Sequence, residues 1–322
     1  MQRVRLGRTE VEVPAIGLGT WAHGGPGEAD GDAVGWSGHD DDESRRALRR
    51  GWELGLTHWD TADVYGDGHA EELIGSLWGD VPREEIFLAS KVGWDRGGYN
   101  HYYHPESIER HFERSLQLLA TERIDLYYLH HCDFGPGDRH LDDALALLRR
   151  FRAEGRIRFI GLSDWNPAEV ARLAPRVDPD VVQPYRNLVD DGYRRSGLQA
   201  WVEEHDAGVC FFSPLKHGLL LGKYDGPAGF PAGDFRSRIP EFSDPAALAR
   251  LRAAAAAAGE RFGDHPQPVL HAVVDGLLTG CLNATVLLGL RNPRQVEAAA
   301  NLGEALARDD LDWVRGRYRA RV

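Results

Sequence analysis

The sequence predicts an α/β fold in which eight parallel strands close into a (β/α)8 barrel. Eight short apolar runs alternate with amphipathic stretches from one end of the chain to the other. This alternation is typical of helices packed between parallel strands, and eight strands are the number that closes a barrel. Long irregular segments follow several of the runs, as loops do at the C-terminal face, where barrel active sites lie. We therefore expect a TIM barrel with an N-terminal β-hairpin and long βα loops at that face, folded as a single domain over residues 1–322.

A small hairpin is predicted at the start of the chain, before the barrel. Two short runs, Val4–Leu6 and Val11–Val13, lie on either side of Gly7 and Arg8, and paired runs around a glycine turn are typical of a hairpin. The barrel strands are predicted to follow in this order: Ala15–Thr20, Thr57–Asp60, Ile86–Lys91, Ile124–His130, Ile157–Ser163, Val181–Gln183, Val209–Ser213 and Thr285–Leu290.

The amphipathic stretches between these runs predict the helices. Their apolar residues recur at the three- and four-residue spacing of one helix face. Gly55, Gly155 and Gly208 follow three of the stretches, where a helix end favours a residue with positive φ. The predicted helices are Asp42–Leu54, Glu71–Trp78, Pro105–Leu119, Leu141–Glu154, Pro167–Leu173, Gly197–Ala207 and Pro245–Phe262.

An open, doubly wound sheet is the alternative fold. Gly17 and Gly19, followed by Ala22, partly match the glycine fingerprint of dinucleotide-binding sheets. That fingerprint requires a helix directly after the turn, whereas a long irregular stretch follows here. The barrel is therefore the preferred prediction.

Composition and charge exclude several classes of function. The chain has 322 residues, with 38 Lys+Arg against 50 Asp+Glu and a net charge of −12, which argues against a general binder of nucleic acids or anionic membranes. No apolar run is long enough to span a bilayer, and the first residues lack the apolar stretch of a signal peptide. Three cysteines far apart in sequence indicate reduced thiols. We expect a cytoplasmic protein without a nucleic-acid or membrane partner, and its oligomeric state is left open.

Lysine is scarce in this chain, so the positions of its lysines are informative. Only Lys91, Lys216 and Lys223 are lysines among the 38 basic residues. A preference for arginine codons accounts for the scarcity but not for the positions. A lysine can have its pKa moved by its surroundings and take part in proton chemistry, whereas an arginine stays charged. Lys91 lies at the end of a predicted buried strand, where a charged group must be paired or functional.

Four polar residues fall where the barrel would bring them together. Asp60, Lys91 and His130 end successive predicted strands, and Tyr65 follows Asp60 in its loop. A nearby ammonium lowers the pKa of a tyrosine from its usual value of about 10. Together the four predict a general-acid site for a carbonyl that gains a hydride. Taken singly, each also has a structural explanation, as a helix cap, a loop anchor, a paired buried charge or a core histidine.

The residues around these four positions resemble the aldo-keto reductase superfamily. The resemblance lies in three segments, Trp59–Gly66, Ala89–Val92 and Ile124–His130, and runs essentially from Arg5 to Leu311. It implies a catalytic tetrad that maps, residue by residue, onto Asp60, Tyr65, Lys91 and His130.

The same resemblance implies NADPH as the hydride donor. The sequence departs from the family at Asp164, which stands in place of an asparagine, and at Ala298 and Ala299, where the family commonly has Glu and Asn against the adenine. Arg291 is the preferred contact for the 2′-phosphate, since a guanidinium matches phosphate geometry, and Arg294 is the second choice. The implied cofactor positions are Gly19, Thr20, Trp21, Ser163, Asp164, Gln183, Phe212, Ser213, Leu215, Gly218, Lys223, Gly289, Arg291 and Gln295.

Aromatic residues beside the predicted loops indicate the substrate pocket. Trp21, Trp36, Trp94, His131 and Phe134 lie in or near the loops of the active face. Such a lining suits a small apolar or aromatic carbonyl compound as substrate, and it is equally consistent with packing between long loops.

Two other functions are alternatives to a carbonyl reductase. A metal-dependent barrel hydrolase would use His130, His131 and Cys132, but adjacent strand residues point to opposite sides, and no metal is expected. A non-catalytic subunit that senses NADPH on the same fold is the other alternative, and the complete tetrad argues against it. The preferred prediction is an NADP-dependent reductase that converts an aldehyde or ketone to an alcohol, with the proton delivered by Tyr65.

Overall fold

Eight parallel strands form a closed barrel in the computed structural model, which describes residues 1–29 and 32–319. Seven neighbouring pairs around the barrel follow chain order, and the last strand closes it by pairing with the first, at Val286 against Ile16 and Gly289 against Gly19. The antiparallel N-terminal hairpin lies outside this ring. The predicted (β/α)8 barrel with an N-terminal hairpin is confirmed.

The strands and helices alternate as the sequence predicts. The strands are β1 (Arg3–Arg5), β2 (Glu12–Pro14), β3 (Ile16–Gly19), β4 (Glu28–Ala29), β5 (Asp32–Ala33), β6 (His58–Asp60), β7 (Phe87–Val92), β8 (Ile124–Leu129), β9 (Ile157–Asp164), β10 (Val181–Pro184), β11 (Gly208–Phe211) and β12 (Ala284–Gly289). The α-helices are α1 (Asp41–Glu53), α2 (His69–Gly75), α3 (Pro105–Leu118), α4 (Leu141–Ala153), α5 (Pro167–Val177), α6 (Gly192–Arg195), α7 (Leu198–Glu204), α8 (Pro245–Arg261), α9 (Pro268–Leu270), α10 (Gly276–Leu278), α11 (Pro293–Ala299) and α12 (Arg308–Arg319).

Each predicted barrel strand lies within two residues of an observed one, and the seven predicted helices are all present. The seven predicted segments do not include the short helices α6, α9 and α10, nor α11 and the C-terminal α12. The first three have only three or four residues, too few to establish a helical period. Helix α12 is rich in charged residues and buries only Leu311, Val314 and Tyr318.

The hairpin closes one end of the barrel. Leu6 and Val13 are fully buried and pack against interior side chains that include Leu126 and Val181. This contact explains Gly208, whose predicted role at a helix end is wrong. Gly208 begins β11, and a Cβ there would lie 2.7 Å from Cγ of Leu6. Gly55 and Gly155 do have positive φ, as predicted.

Two long loops cover the opposite face, at the carboxyl ends of the strands. The loop after β3 meets the loop after β11 through a bridge between Gly35 and Asp234. The hydroxyl of Ser37 donates to Asp234 Oδ2 at 2.6 Å. These contacts join two segments about 200 residues apart in sequence, and the joined loops cover part of the barrel opening. No helix in the described ranges is long and apolar enough to cross a membrane.

Candidate active site

A cavity of about 670 Å³ opens at the carboxyl ends of the strands, beneath the two joined loops. Asp60, Tyr65 and His130 line it, and Lys91 lies directly behind Asp60 and Tyr65. The residues implied for cofactor binding that line the same cavity are Gly19, Thr20, Trp21, Ser163, Gln183, Phe212, Ser213, Leu215, Gly218, Lys223, Gly289, Arg291 and Gln295.

Lys91 is the centre of a compact polar cluster. Its side chain is fully buried in β7. Its Nζ donates to Asp60 Oδ1 at 2.5 Å, to the carbonyl of Thr61 at 2.6 Å and to the hydroxyl of Tyr65 at 3.3 Å. Strands β6 and β7 pair in parallel with Asp60 opposite Ala89, which places the carboxylate within reach of the ammonium. All three hydrogens of the ammonium therefore have an acceptor.

Asp60 is held from a second side by the opposite wall of the barrel. Gln183 Nε2 donates to Asp60 Oδ2 at 2.8 Å. The carboxylate thus has one oxygen on Lys91 and the other on Gln183, so its orientation is fixed. Gln183, predicted to contact the cofactor, also serves here to position Asp60.

Burial and the paired charges set the protonation states of this cluster. Burial works to lower the pKa of Lys91, but Asp60 and Tyr65 together outweigh it and the pKa is raised. Burial raises the pKa of Tyr65 above its usual value, although the ammonium of Lys91 opposes that rise. Lys91 therefore stays an ammonium and Tyr65 a neutral phenol near neutral pH. Lys91 acts to lower the pKa of Tyr65, as predicted, but burial has the larger effect and the net pKa is raised.

His130 follows β8 and faces the same cavity. Its ring lies 5.8 Å from that of Tyr65, centroid to centroid. Burial and the charge of Lys91 lower its pKa well below the usual value, so the imidazole is neutral. Its Nδ1 is buried without a hydrogen-bond partner among the described residues. A neutral imidazole beside a phenol can donate one hydrogen bond to an oxygen bound between them.

Cationic side chains collect at another part of the cavity. Lys223, Arg236 and Arg291 line it there. Asp234 pairs with Arg236 through both carboxylate oxygens, at 2.6 and 2.9 Å. Arg291 is half-buried, and burial together with the charge of Arg236 lowers its pKa. Its backbone N–H donates to Gln295 Oε1 at 2.8 Å. Among the described residues these three cations have one carboxylate partner, Asp234, so this part of the cavity suits an anionic ligand.

Aromatic rings form most of the remaining wall. Trp21 packs against Trp36, Tyr65, Trp165 and Phe235 at centroid distances between 5.1 and 6.2 Å. Trp165 is 37% exposed, unusually high for a tryptophan. A second tryptophan, Trp94, is also prominent at the mouth, at 38% exposure.

Besides Lys91, the structure places three of the predicted site residues outside the cavity wall. Asp164 accepts backbone hydrogen bonds on both carboxylate oxygens, from Cys132 and Asn166 at 2.7 Å each. His131 and Phe134, predicted to line the substrate pocket, are 3% and 0% exposed and pack against the ring of Tyr103. These two assignments are corrected: both rings belong to the core beside the cavity. His131 also directs its Nε2 to the carbonyl of Gly93.

Lys216 lies outside the cavity wall, and the candidate metal ligands His130, His131 and Cys132 do not form a metal site. Lys216 pairs with Glu241 at 2.5 Å and does not line the cavity. His130 faces the cavity, whereas His131 and the thiol of Cys132 turn to backbone carbonyls. The three do not converge on a common point, so their arrangement does not suit a hydrolytic metal site.

The sequence reading missed several residues of the cavity wall. One of them directly follows β9, and the others come from the long loop after β11. That loop was expected to be functional because of its length, but length does not reveal which side chains turn inward. The missed residues are Trp165, His217, Phe235, Arg236 and Arg238.

Comparisons with known proteins agree with this geometry. The sequence profile described as the Aldo/keto reductase family matches residues 15–314. An aldo-keto reductase from Schizosaccharomyces pombe named for NADP(+) is 31% identical over 240 residues, which cover 71% of this chain and 66% of that protein. The NADH-specific methylglyoxal reductase of Escherichia coli is 28% identical over 69% of this chain and 70% of its own length.

A solved structure extends the similarity to the whole barrel. Glycerol dehydrogenase AKR11B4 from Gluconobacter oxydans superposes with a TM-score of 0.80 at 26% identity, covering 99% of this chain and 97% of that one. The matched profile spans all eight barrel strands and the four residues of the predicted tetrad, Asp60, Tyr65, Lys91 and His130. The chain therefore belongs to the aldo-keto reductase family.

Proposed function

We propose that this protein is an NADPH-dependent reductase that converts an aldehyde or ketone to the alcohol. The observation that carries the proposal is the phenol of Tyr65, which faces the cavity with the buried ammonium of Lys91 at 3.3 Å behind it. A neutral phenol backed by a fixed positive charge can give up its proton, because the phenolate that remains is stabilised at once.

Each residue of the cluster has a distinct part in the proposed reaction. Bound NADPH supplies a hydride to the carbonyl carbon and leaves as NADP⁺. Tyr65 gives its proton to the carbonyl oxygen as that oxygen gains negative charge, and the phenolate later takes a proton from solvent. Lys91 stabilises the phenolate, and Asp60 and Gln183 keep Lys91 charged and in place. The neutral imidazole of His130 donates a hydrogen bond that orients the carbonyl oxygen.

The residues of the cavity fit a phosphorylated dinucleotide. Lys223 and Arg291 bring positive charge to the end away from Tyr65, where phosphates would lie. Phe212 offers a ring to the nicotinamide side, and Gly289 has nothing within 4 Å of a built Cβ, so its backbone is open to a close ligand. Arg291 is the residue we assign to the 2′-phosphate. One relative is named for NADP(+) and another is NADH-specific, so preference between the two cofactors rests on this assignment.

The aromatic wall indicates the class of substrate. Trp94 and Trp165 present exposed rings to the space in front of Tyr65, and aromatic rings bind flat apolar groups well. We propose an aromatic or apolar aldehyde or ketone, with its carbonyl directed to Tyr65 and His130.

The variant Tyr65→Phe tests the proposal. It removes the proton donor and keeps the ring, so turnover of an aromatic aldehyde such as benzaldehyde should fall by about 10²–10⁴-fold. NADPH affinity, measured by quenching of tryptophan fluorescence, should stay within a factor of about two of wild type, because the hydroxyl does not contact the cofactor's phosphates. The matched control is Tyr102→Phe, which removes a hydroxyl elsewhere on the cavity wall and should keep turnover.

Two outcomes would contradict the assignment. Wild-type turnover by Tyr65→Phe would exclude Tyr65 as the proton donor. NADPH binding by the wild-type protein without turnover across a panel of aldehydes and ketones would favour the NADPH-sensing subunit instead.

A further inference from the structure

Two histidines and an aspartate meet at the rim of the barrel, outside the cavity. His39 belongs to the loop after β3, Asp41 begins α1 and His69 begins α2. One ligand atom from each lies within 4.8 Å of the others, and His69 Nε2 is 2.9 Å from Asp41 Oδ1. We propose that these three side chains bind a divalent transition-metal ion, with zinc as the best fit, and that the ion joins the loop to the two helices.

The donor set and its arrangement suit zinc. Two imidazoles and a carboxylate are common zinc ligands, at about 2.0–2.2 Å from the ion and so about 3.3 Å from one another. Asp41 and His69 already lie close to that spacing, and the ligand atom of His39 lies within 4.8 Å of both. The rings of His39 and His69 are nearly perpendicular, at 84° with centroids 6.2 Å apart. Perpendicular rings can direct their lone pairs to one point between them.

The second nitrogen of His69 lies near a carboxylate, beyond hydrogen-bond distance. Its Nδ1 faces the carboxylate of Glu72 at 3.9 Å, while Nε2 faces Asp41. A histidine that binds a metal through one nitrogen usually directs the other to a carboxylate or carbonyl, which fixes the tautomer. The hydrogen bond from His69 lowers the pKa of Asp41. His39 is exposed and makes no hydrogen bond with any described residue, so it is available.

A second histidine cluster in the molecule shows the contrast. His265 and His271 stack face to face, with centroids 4.2 Å apart and planes at 13°, above Asp275. Parallel stacked rings cannot both direct lone pairs at one ion. His265 uses both nitrogens, since Nδ1 accepts from the backbone of Gln267 and Nε2 faces the carbonyl of Asn301. His271 holds Asp275 at 2.7 Å. This cluster is complete without a metal.

The position of the proposed site gives it a structural consequence. The loop that carries His39 also carries Trp36 into the cavity wall, and the carbonyl of its Ser37 accepts from Arg291 Nη1 at 3.2 Å. His69 lies four residues after Tyr65, at the start of α2. A bound ion would fix the loop that carries His39 against the starts of α1 and α2. The inference concerns binding alone, so it stands or fails independently of the reductase reaction.

Competition for zinc tests the inference. Untagged wild-type protein at neutral pH is titrated with Zn²⁺ against a chromophoric chelator, and we expect one zinc ion per chain. His39→Ala and His69→Ala should each weaken zinc binding by about 100-fold or more, and Glu72→Gln by about tenfold. His271→Ala is the matched control and should bind zinc as wild type does. One equivalent of zinc should also raise the thermal unfolding temperature of wild type and not of His69→Ala, since the ion binds only the folded chain.

Three results would overturn the assignment. The first is wild-type protein without a stoichiometric zinc ion. The second is undiminished binding in both His39→Ala and His69→Ala, when each variant unfolds without zinc at the wild-type temperature. The third is loss of binding in His271→Ala, which would place the ion at the other cluster. Co²⁺ gives an independent check, because a tetrahedral site of these ligands produces intense visible absorption that the two ligand variants should lose.

Discussion

Lys91 and Arg186 are both fully buried, and they differ in what surrounds them. Arg186 lies just beyond the end of β10, where it donates to Asp191 at 2.9 Å, to the carbonyl of Leu277 at 3.1 Å and to the thiol of Cys281 at 2.9 Å. Its guanidinium also packs 4.5 Å from the ring centre of Phe211. These partners do not line the cavity. The arrangement can hold a charge but cannot pass a proton to a ligand in the cavity.

Lys91 has the same kind of anchor and one partner of another kind. Asp60 neutralises it as Asp191 neutralises Arg186, but the hydroxyl of Tyr65 can change its protonation state and faces a cavity. Buried charge alone is therefore a poor indicator of function. A buried charge beside a titratable group that reaches a cavity is a much better one, and lysine suits that position because its single ammonium fits between three acceptors.

Removing each buried cation should separate the two roles, and it has the largest expected effect. Lys91→Met leaves Asp60 with only the Gln183 donor, so the free energy of unfolding should fall by about 3–5 kcal/mol. Turnover should fall by about 10²–10⁴-fold, because no charge remains to stabilise the phenolate. Arg186→Met is the control: Asp191 keeps Arg315 at 2.9 Å, so stability should fall less, and turnover per folded molecule should stay near wild type. Urea unfolding and steady-state kinetics measure the two effects.

The proposed difference in role between Lys91 and Arg186 would be contradicted if both variants lost stability but kept turnover. Lys91 would then be a structural cation like Arg186, and the phenol of Tyr65 would need another source of stabilisation.

Glu71 is a buried acid that forms no ion pair with a described residue, and it extends the comparison of buried charged groups. Glu71 in α2 is 1% exposed and accepts a hydrogen bond from the hydroxyl of Ser90, the neighbour of Lys91, at 2.6 Å. Burial raises its pKa to about 7, from an ordinary value of 4.5. The folded protein therefore keeps a proton that the unfolded chain releases between these pH values. Stability is lost as the pH rises from about 4.5 to 7, and the loss is complete above that range.

Glu71→Gln should remove this pH dependence. At about 1.4 kcal/mol per pKa unit, the variant should gain roughly 3 kcal/mol relative to wild type between pH about 5 and 8, because the amide keeps the acceptor oxygen and cannot ionise. Urea unfolding at a series of pH values measures the difference. Glu72→Gln, an exposed neighbour, should leave the wild-type slope unchanged. A slope that persists in Glu71→Gln would mean that another buried acid carries it.

The sequence predicted the barrel and the residues around Lys91 better than it predicted the cavity wall. Asp60, Lys91 and His130 lie at or directly beyond strand ends, and strand ends follow from apolar runs and their order. The cavity wall and the rim depend on contacts between loops, such as Gly35 with Asp234 and His39 with His69. No periodicity records which loop side chains meet, so these pairings needed the folded structure. Phe134 and His131 show the converse error, since aromatic residues near a loop were assigned to the pocket and belong to the core.

A half-buried cation that faces the cavity completes the series and has the smallest expected effect. Arg291 forms no ion pair with a carboxylate of the described residues and donates to the carbonyl of Ser37, so it has capacity for a phosphate. A charge-assisted hydrogen bond contributes about 1.5–3 kcal/mol. Arg291→Ala should therefore raise the Kd for NADPH by about 10–100-fold and leave the Kd for NADH within about twofold, as measured by fluorescence titration. Arg294→Ala, an exposed arginine three residues on, is the control and should change neither Kd.

The loss of NADPH affinity in Arg291→Ala should shrink at high salt, because the charge on the 2′-phosphate is screened. Equal weakening of NADPH and NADH would instead assign Arg291 to holding Ser37 and its loop, since that contact serves both cofactors alike.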